Sequence, residues 1–170
     1  MDRLWSPWRY RYVSRAAVSD GCVFCQKPQQ TDAEALILFR GRLNFVILNL
    51  FPYTTGHLMV VPYEHSAVLE ELGERTAIEM MALTRRAVGC LKRVYKPSGL
   101  NVGMNLGECA GAGIAQHLHM HVLPRWPGDA NFMTTIGETR VMPEDLSDTW
   151  QRLSAAFQEV PPASTSPVAI

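Results

Sequence analysis

Three histidines stand at alternate positions in Gln116-His117-Leu118-His119-Met120-His121-Val122-Leu123, and Leu118, Met120 and Val122 fill the gaps between them. In a strand, successive side chains point to opposite faces, so the imidazoles would line one face about 6–7 Å apart while the apolar set faces a core. Imidazole has a reference pKa of about 6.5, so its neutral form is nucleophilic near pH 7 when the second ring nitrogen is held as a donor. A backbone carbonyl on the same strand pair would serve as that holder. The plainer alternatives are a solvated histidine-rich strand face or a fortuitous metal-binding tract. With only five histidines in the chain, three in a strict alternating row are hard to reach by chance. Cys22-Val23-Phe24-Cys25 is a second informative spacing, open between a redox pair, a metal knuckle and no chemistry at all.

These residues need a frame. Ala35–Arg40, Leu43–Asn49 and His57–Pro62 are short apolar or alternating runs, divided by Gly41-Arg42 and by the Pro52–Gly56 turn cluster, which predicts antiparallel strands joined as a meander. Glu74 to Tyr95 carries apolar residues at 78, 81, 88, 91 and 95, close to a helical period, and Pro97-Ser98-Gly99 stops it. Leu100–Leu106 and His117–Pro124 read as two further strands around the glycine- and alanine-rich turn Gly107–Gly113. Pro143–Phe157 reads as a last helix, with Pro143 in its first turn.

At 170 residues with 47% hydrophobic and 19% charged residues, the chain is long enough for one core and too short for two. The expected organisation is an N-terminal arm over residues 1–21, a single domain over 22–158 and a tail over 159–170. The arm is rich in Trp and Arg, suited to stacking on a base or to packing across a subunit boundary. Lys+Arg and Asp+Glu both number 16, so no overall field draws the protein to nucleic acid or an anionic membrane. No apolar run approaches a membrane span, the N-terminus lacks the pattern of a secretory signal, and four unevenly spread cysteines do not make a disulfide framework. The expected location is the cytoplasm.

The triad stretch resembles the histidine-triad signature of the HIT superfamily, and its surroundings agree. Asn44–Pro62 is similar to the family segment in which a strand ending in Asn or Asp leads through a Pro/Gly turn to Gly-His and an apolar strand. Leu100–Arg125, with Asn105 ahead of the triad and Pro124-Arg125 behind it, is similar too, so the likeness covers roughly residues 20–130. Leu4–Arg9 and Pro124–Phe132 look like a bacterial branch described as dinucleoside tetraphosphate phosphorylases or hydrolases.

The resemblance implies an α+β fold, an antiparallel meander sheet with one long helix and a C-terminal helix, and a homodimer that continues the sheet across its two-fold axis. It implies cleavage of a dinucleoside polyphosphate at the α-phosphate through a nucleotidyl-His119 intermediate, with His121 and His57 donating to the phosphate oxygens as charge builds. Asn105 would contact the phosphate or leaving group, and Asn49 the ribose hydroxyls, unless Asn49 only caps its turn. Phe45 and Ile47 stand near the base in that arrangement, though core packing suits them better. No catalytic metal is needed, because such transfer rests on positioning and electrostatics.

Relatives usually carry Gly and a polar residue shortly before the first histidine, whereas this chain has Gly113 and Ile114 and one residue more between Asn105 and the triad. Backbone N–H groups around Gly111 and Gly113 can still meet phosphate oxygens. The lost polar side chain leaves room for other readings: a nucleoside phosphoramidase or mononucleotide hydrolase, or a nucleotide-binding module with little turnover. Many bacterial relatives also have a histidine at the place of His65. With Cys22, Cys25 and His117 it would complete a closed Cys2His2 structural zinc site, in which His117 braces the triad. The competing possibility is that His117 makes only a hydrogen bond and the cysteines are free thiols. Cys90 and Cys109 stand outside both schemes.

Overall fold

The computed structural model describes residues 21–136 and 142–160. All but the last residue of the Trp/Arg arm and all but the first two residues of the C-terminal tail lie outside the described residues. A five-stranded antiparallel sheet is formed by β1 (Ile37–Arg40), β2 (Asn44–Leu48), β3 (Leu58–Pro62), β4 (Gly99–Gly103) and β5 (Met120–Arg125). Its order is β1-β2-β3-β5-β4. The first three strands form the expected meander. After β3 the chain leaves through a long helix to the far edge and returns, so β5 is inserted between β3 and β4.

That helix, α3 (Glu74–Tyr95), follows the short helices α1 (Val23–Gln26) and α2 (Asp32–Ala35), and it has the bounds its sequence predicts. Its stop is local: Lys96 adopts a left-handed conformation with φ of 46°, and Pro97 follows. The expected stripe is borne out in part: Leu91 is buried and Val88 and Tyr95 pack on the core. Met80, Leu83, Ala87, Cys90 and Leu91 enter the core, whereas Ile78 and Met81 are exposed. Two apolar stripes share this helix, and the choice is made by tertiary partners. Arg86 lies on the buried face with its guanidinium 4.1 Å from the Phe39 ring centroid, and it donates to the Phe157 carbonyl. A cation stacked on aromatic rings can occupy such a face.

The last long helix, α5, spans Leu146–Glu159 after the short α4 (Phe132–Thr135). Pro143 therefore precedes α5 and does not begin it. Asp145 is the N-cap, and its side chain accepts from the Asp148 N–H at 3.0 Å, which satisfies one orphan donor of the first turn. The indole of Trp150 donates to the Ile37 carbonyl at 2.8 Å and ties α5 to β1.

Other boundaries move for similar local reasons. Ala35 closes α2, and Leu36 turns the chain with φ of 62° before β1 starts at Ile37. The strand expected over Leu100–Leu106 is Gly99–Gly103, and the one expected from His117 pairs only from Met120. His117 and His119 therefore lie just ahead of the ladder.

One face of the sheet is covered by α3 and α5, burying Val46, Leu48, Leu58, Val60, Leu118 and Val122. The opposite face carries a smaller cluster of Phe24, Ala35, Ile37, Phe45, Ile47, Met59 and Val61. His121 pairs with Met59 and with Gly103, which puts it on this second face, away from α3 and α5. Glu79 of α3 fastens the β1–β2 turn to the helix. Its carboxylate accepts from the backbone N–H groups of Arg42, Leu43 and Asn44 at 2.7–2.8 Å and from the Asn44 side chain at 2.9 Å.

Candidate functional site

His119 is buried, and its Nδ1–H donates to the His117 carbonyl at 2.8 Å. That bond fixes the tautomer and leaves the Nε2 lone pair free. The holder is the neighbouring backbone two residues earlier. Burial pushes the His119 pKa below its ordinary value against the opposing pull of this carbonyl, so the ring is neutral at pH 7.

His121 gets its tautomer from a relay. The Tyr53 N–H can only donate, and it lies 3.1 Å from His57 Nδ1, so that nitrogen accepts. Neutral His57 then carries its proton on Nε2 and donates across 2.9 Å to His121 Nδ1. His121 in turn must hold its own proton on Nε2, a donor for an anion. Burial, helped by the charge of His119, pushes the His121 pKa to about 4. The His119 and His121 rings meet edge-on with centroids 4.8 Å apart. One neutral acceptor nitrogen and one N–H donor thus stand side by side, which suits attack on phosphorus with an oxygen held alongside.

Asn49 follows β2, where its Oδ1 accepts from the Phe51 N–H at 3.0 Å and its Nδ2 lies 3.3 Å from His57 Nδ1. The first contact is the turn-capping role expected of an Asn before Pro52; the second joins the turn to the relay. Asn105 Nδ2 donates to the Gly111 carbonyl at 3.4 Å and staples the base of the glycine turn, where Gly111 has φ of 92°. Phe45 and Ile47 are buried in the second cluster, the core-packing role. Sequence reasoning missed Tyr53, whose contribution is a backbone N–H that no side-chain pattern encodes, and whose ring packs 4.7 Å from that of His57.

At the other end of the row, four side chains converge as the sequence suggested. The candidate ligand atoms of Cys22, Cys25, His65 and His117 all lie within 4.8 Å of one another. Cys22 Sγ and Cys25 Sγ are 3.3 and 3.7 Å from His117 Nδ1, and Cys25 Sγ is 3.3 Å from His65 Nδ1. Ligand atoms about 2.0–2.3 Å from a tetrahedral centre stand roughly 3.3–3.8 Å apart, so these separations suit zinc. The donors are also prepared for it. His117 Nε2–H donates to the Pro62 carbonyl at 2.9 Å, which leaves Nδ1 unprotonated and turned to the thiols. Burial and the nearby Cys22 hold the Cys25 thiol above its ordinary pKa; a divalent cation would reverse that by stabilising the thiolate. Among the four cysteines, Cys90 is buried in the core and Cys109 is exposed, both apart from this group.

A cavity of about 780 Å³ opens beside Tyr53 and is lined also by Tyr95, Trp126, Asp129, Glu144 and Arg152. It includes none of the triad histidines, and its carboxylates are poor company for a polyphosphate. The histidines, not this hollow, offer the groups suited to phosphorus chemistry.

A sequence profile of the HIT domain matches residues 30–128, more than half of the chain. The chain belongs to the HIT family. A protein of Mycobacterium tuberculosis (strain H37Rv) named "AP-4-A phosphorylase" is 44% identical over 169 residues, covering 95% of this chain and 87% of that protein. Schizosaccharomyces pombe "Adenosine 5'-monophosphoramidase hnt1" is 28% identical, over 61% of this chain and 74% of its own. Among solved structures, a zinc-bound histidine triad family protein from Mycobacterium smegmatis superposes with a TM-score of 0.67 at 27% identity, covering 82% of this chain and 94% of that one. The five-stranded antiparallel sheet with its helices is the HIT fold, and the protein is an enzyme of this family. Among the described residues, no helix is long and apolar enough to cross a membrane.

Proposed function

We propose that this HIT enzyme cleaves dinucleoside polyphosphates of the diadenosine tetraphosphate type at the α-phosphate. The observation that carries the mechanism is the Nδ1–H···O=C bond of His119, which aims a neutral Nε2 lone pair beside the N–H of His121. In the reaction, His119 Nε2 forms a bond to the α-phosphorus, and the bond to the bridging oxygen breaks. From diadenosine tetraphosphate this releases ATP and leaves an adenylyl group on the histidine. Water or inorganic phosphate then attacks the same phosphorus and frees His119, giving AMP or ADP. His121 Nε2–H, oriented by His57, donates to the non-bridging oxygen on which charge accumulates. Asn105 and the backbone N–H groups around Gly111 and Gly113 hold the departing phosphates, and Asn49 meets the ribose. The 44%-identical mycobacterial relative favours phosphate as the acceptor.

The same reading includes structural zinc at Cys22, Cys25, His65 and His117, supported by the donor spacing and by the zinc-bound mycobacterial relative. Bound there, zinc supplies a closed cross-link and no open position for substrate. It includes one domain over residues 22–158 and a cytoplasmic homodimer paired through β4, which ends the sheet. The test is incubation with diadenosine tetraphosphate, with and without inorganic phosphate, followed by chromatography. ADP plus ATP only with phosphate is the expected result. AMP plus ATP without it would make the enzyme a hydrolase. Tight nucleotide binding with no product in either case would overturn the reading in favour of phosphoramidate substrates or a binding module.

A further inference from the structure

We propose that Phe24 and His117 are positioning residues for His119, and that the metal knuckle holding them sets the turnover rate by orienting that one imidazole. The proposal rests on the nucleophilic role of His119 given above, and it concerns what keeps that ring in place.

The sheet does not do so. Ladder pairing begins at Met120, so the His117 carbonyl that holds the nucleophile lies outside β5. Two bonds tether this stretch: Leu118 N–H to the Ser66 carbonyl at 2.7 Å, and His117 Nε2–H to the Pro62 carbonyl at 2.9 Å. Both end on residues 62–66, the segment that also carries His65. A metal bound by His65 and His117 would lock that segment to the triad at a third point.

The other two ligands bring the second restraint. Phe24 stands between Val23 and Cys25 in the Cys22–Cys25 knuckle, and it is buried. Its ring centroid lies 5.0 Å from that of His119 and 5.4 Å from that of His117. It therefore packs directly against the ring of the nucleophile. The helix that presents it, α1, has four residues and no side-chain cap. One turn of that kind does not hold itself in water. It is held by the packing of Phe24 in the second cluster, and a metal on the two flanking cysteines would fix it at both ends. The Cys2His2 group thus controls both the carbonyl that sets the His119 tautomer and the ring that limits its tilt.

Near-attack geometry is steep: a displacement of about 1 Å remote from the chemistry can cost on the order of 100-fold in rate. The experiment compares the zinc-loaded protein, the same protein stripped by chelator, Phe24→Ala and Cys25→Ser. Zinc content, kcat and KM for diadenosine tetraphosphate are measured, together with 15N NMR of labelled histidines. Loaded protein should show one His119 tautomer with a slowly exchanging Nδ1–H. Stripping should average that signal while circular dichroism keeps the fold, and should lower kcat roughly 10- to 100-fold with KM little changed. Phe24→Ala should retain zinc yet lose kcat to a similar extent, Phe24→Leu should recover most of it, and the Phe24→Ala/Cys25→Ser pair should be no worse than the poorer single variant. Unchanged His119 signals and unchanged kcat in stripped protein would overturn the proposal. Absence of turnover even in loaded protein would count against the proposed reaction, and the NMR comparison would still decide the positioning claim.

Discussion

Acidification should destabilise this fold through His121 in a calculable way. The ring is buried on the sheet face away from α3 and α5, and burial, together with repulsion from His119 when that ring is protonated, lowers its pKa to about 4 from an ordinary 6.5. Between those values the unfolded chain binds a proton that the folded protein refuses, so stability rises with pH across the window and is lost as pH falls through it. A shift of this size corresponds to about 3 kcal/mol. That is a large part of the 5–15 kcal/mol typical of a domain. Near pH 5 the difference is close to one proton, a slope of roughly 1.2 kcal/mol per pH unit. The assay is urea unfolding of wild type and His121→Asn at intervals from pH 4 to 7.5. Metal-free protein is used for both, so that protons taken up by Cys22, Cys25, His65 and His117 on metal release do not enter. The wild-type slope should exceed the variant slope by about that amount, and the excess should vanish above pH 7. Equal slopes would show that the His57–His121 pair takes up its proton as freely folded as unfolded, and the neutral relay assigned to it would fall.

Replacing His57 by Phe removes the acceptor of the Tyr53 N–H and the donor to His121 Nδ1; unfolding should show a loss of about 1–3 kcal/mol, and kcat should fall more than KM rises. Glu79→Gln turns amide hydrogens toward backbone donors that a carboxylate now accepts, so the melting temperature should drop by an amount corresponding to about 2–4 kcal/mol while kcat per folded molecule stays constant. Gly56 has φ of +77°, and an added Cβ would come within 3.0 Å of the Tyr95 ring. Gly56→Ala should therefore cost about 1–2 kcal/mol by denaturant titration and, lying next to His57, should also slow turnover. His119→Ala should abolish turnover by several orders of magnitude while equilibrium dialysis finds nucleotide affinity retained.

The elements were legible where punctuation is local and less so where partners are distant. Helix α3 has the predicted ends because Pro97-Ser98-Gly99 stops any helix. Its buried stripe was predicted only toward the C-terminal end, at 88, 91 and 95, because Ile78 and Met81 are as apolar as Met80 and Leu83 and only the packing of Phe39, Phe157 and the sheet separates them. The start of α5 was legible in principle: Asp145 with Ser147 and Asp148 is a capping pattern, and the nearby Pro143 drew attention from it. Insertion of β5 between β3 and β4 follows from the long α3 excursion, which no short-range signal constrains. The candidate site residues came from motif and likeness. Phe24 escaped because its partner lies 95 positions away.

Alternation places the three histidines on one face, yet it cannot give them different tasks; those come from what the rest of the chain brings to each ring. His117 meets two thiols and a proline carbonyl, His119 a carbonyl and a phenyl ring, and His121 another imidazole. The strand boundary falls among them. His121 belongs to the ladder, paired on both sides, so its donor is fixed by the sheet. His119 stands one residue before the ladder and depends on the knuckle and on residues 62–66. A donor to developing charge gains from rigidity. In the proposed reaction His119 must bond to phosphorus and release it again, moving along its attack line in each step. Placing it just off the sheet, with lateral restraint from Phe24 and a fixed proton on Nδ1, permits that motion while forbidding the wrong tautomer.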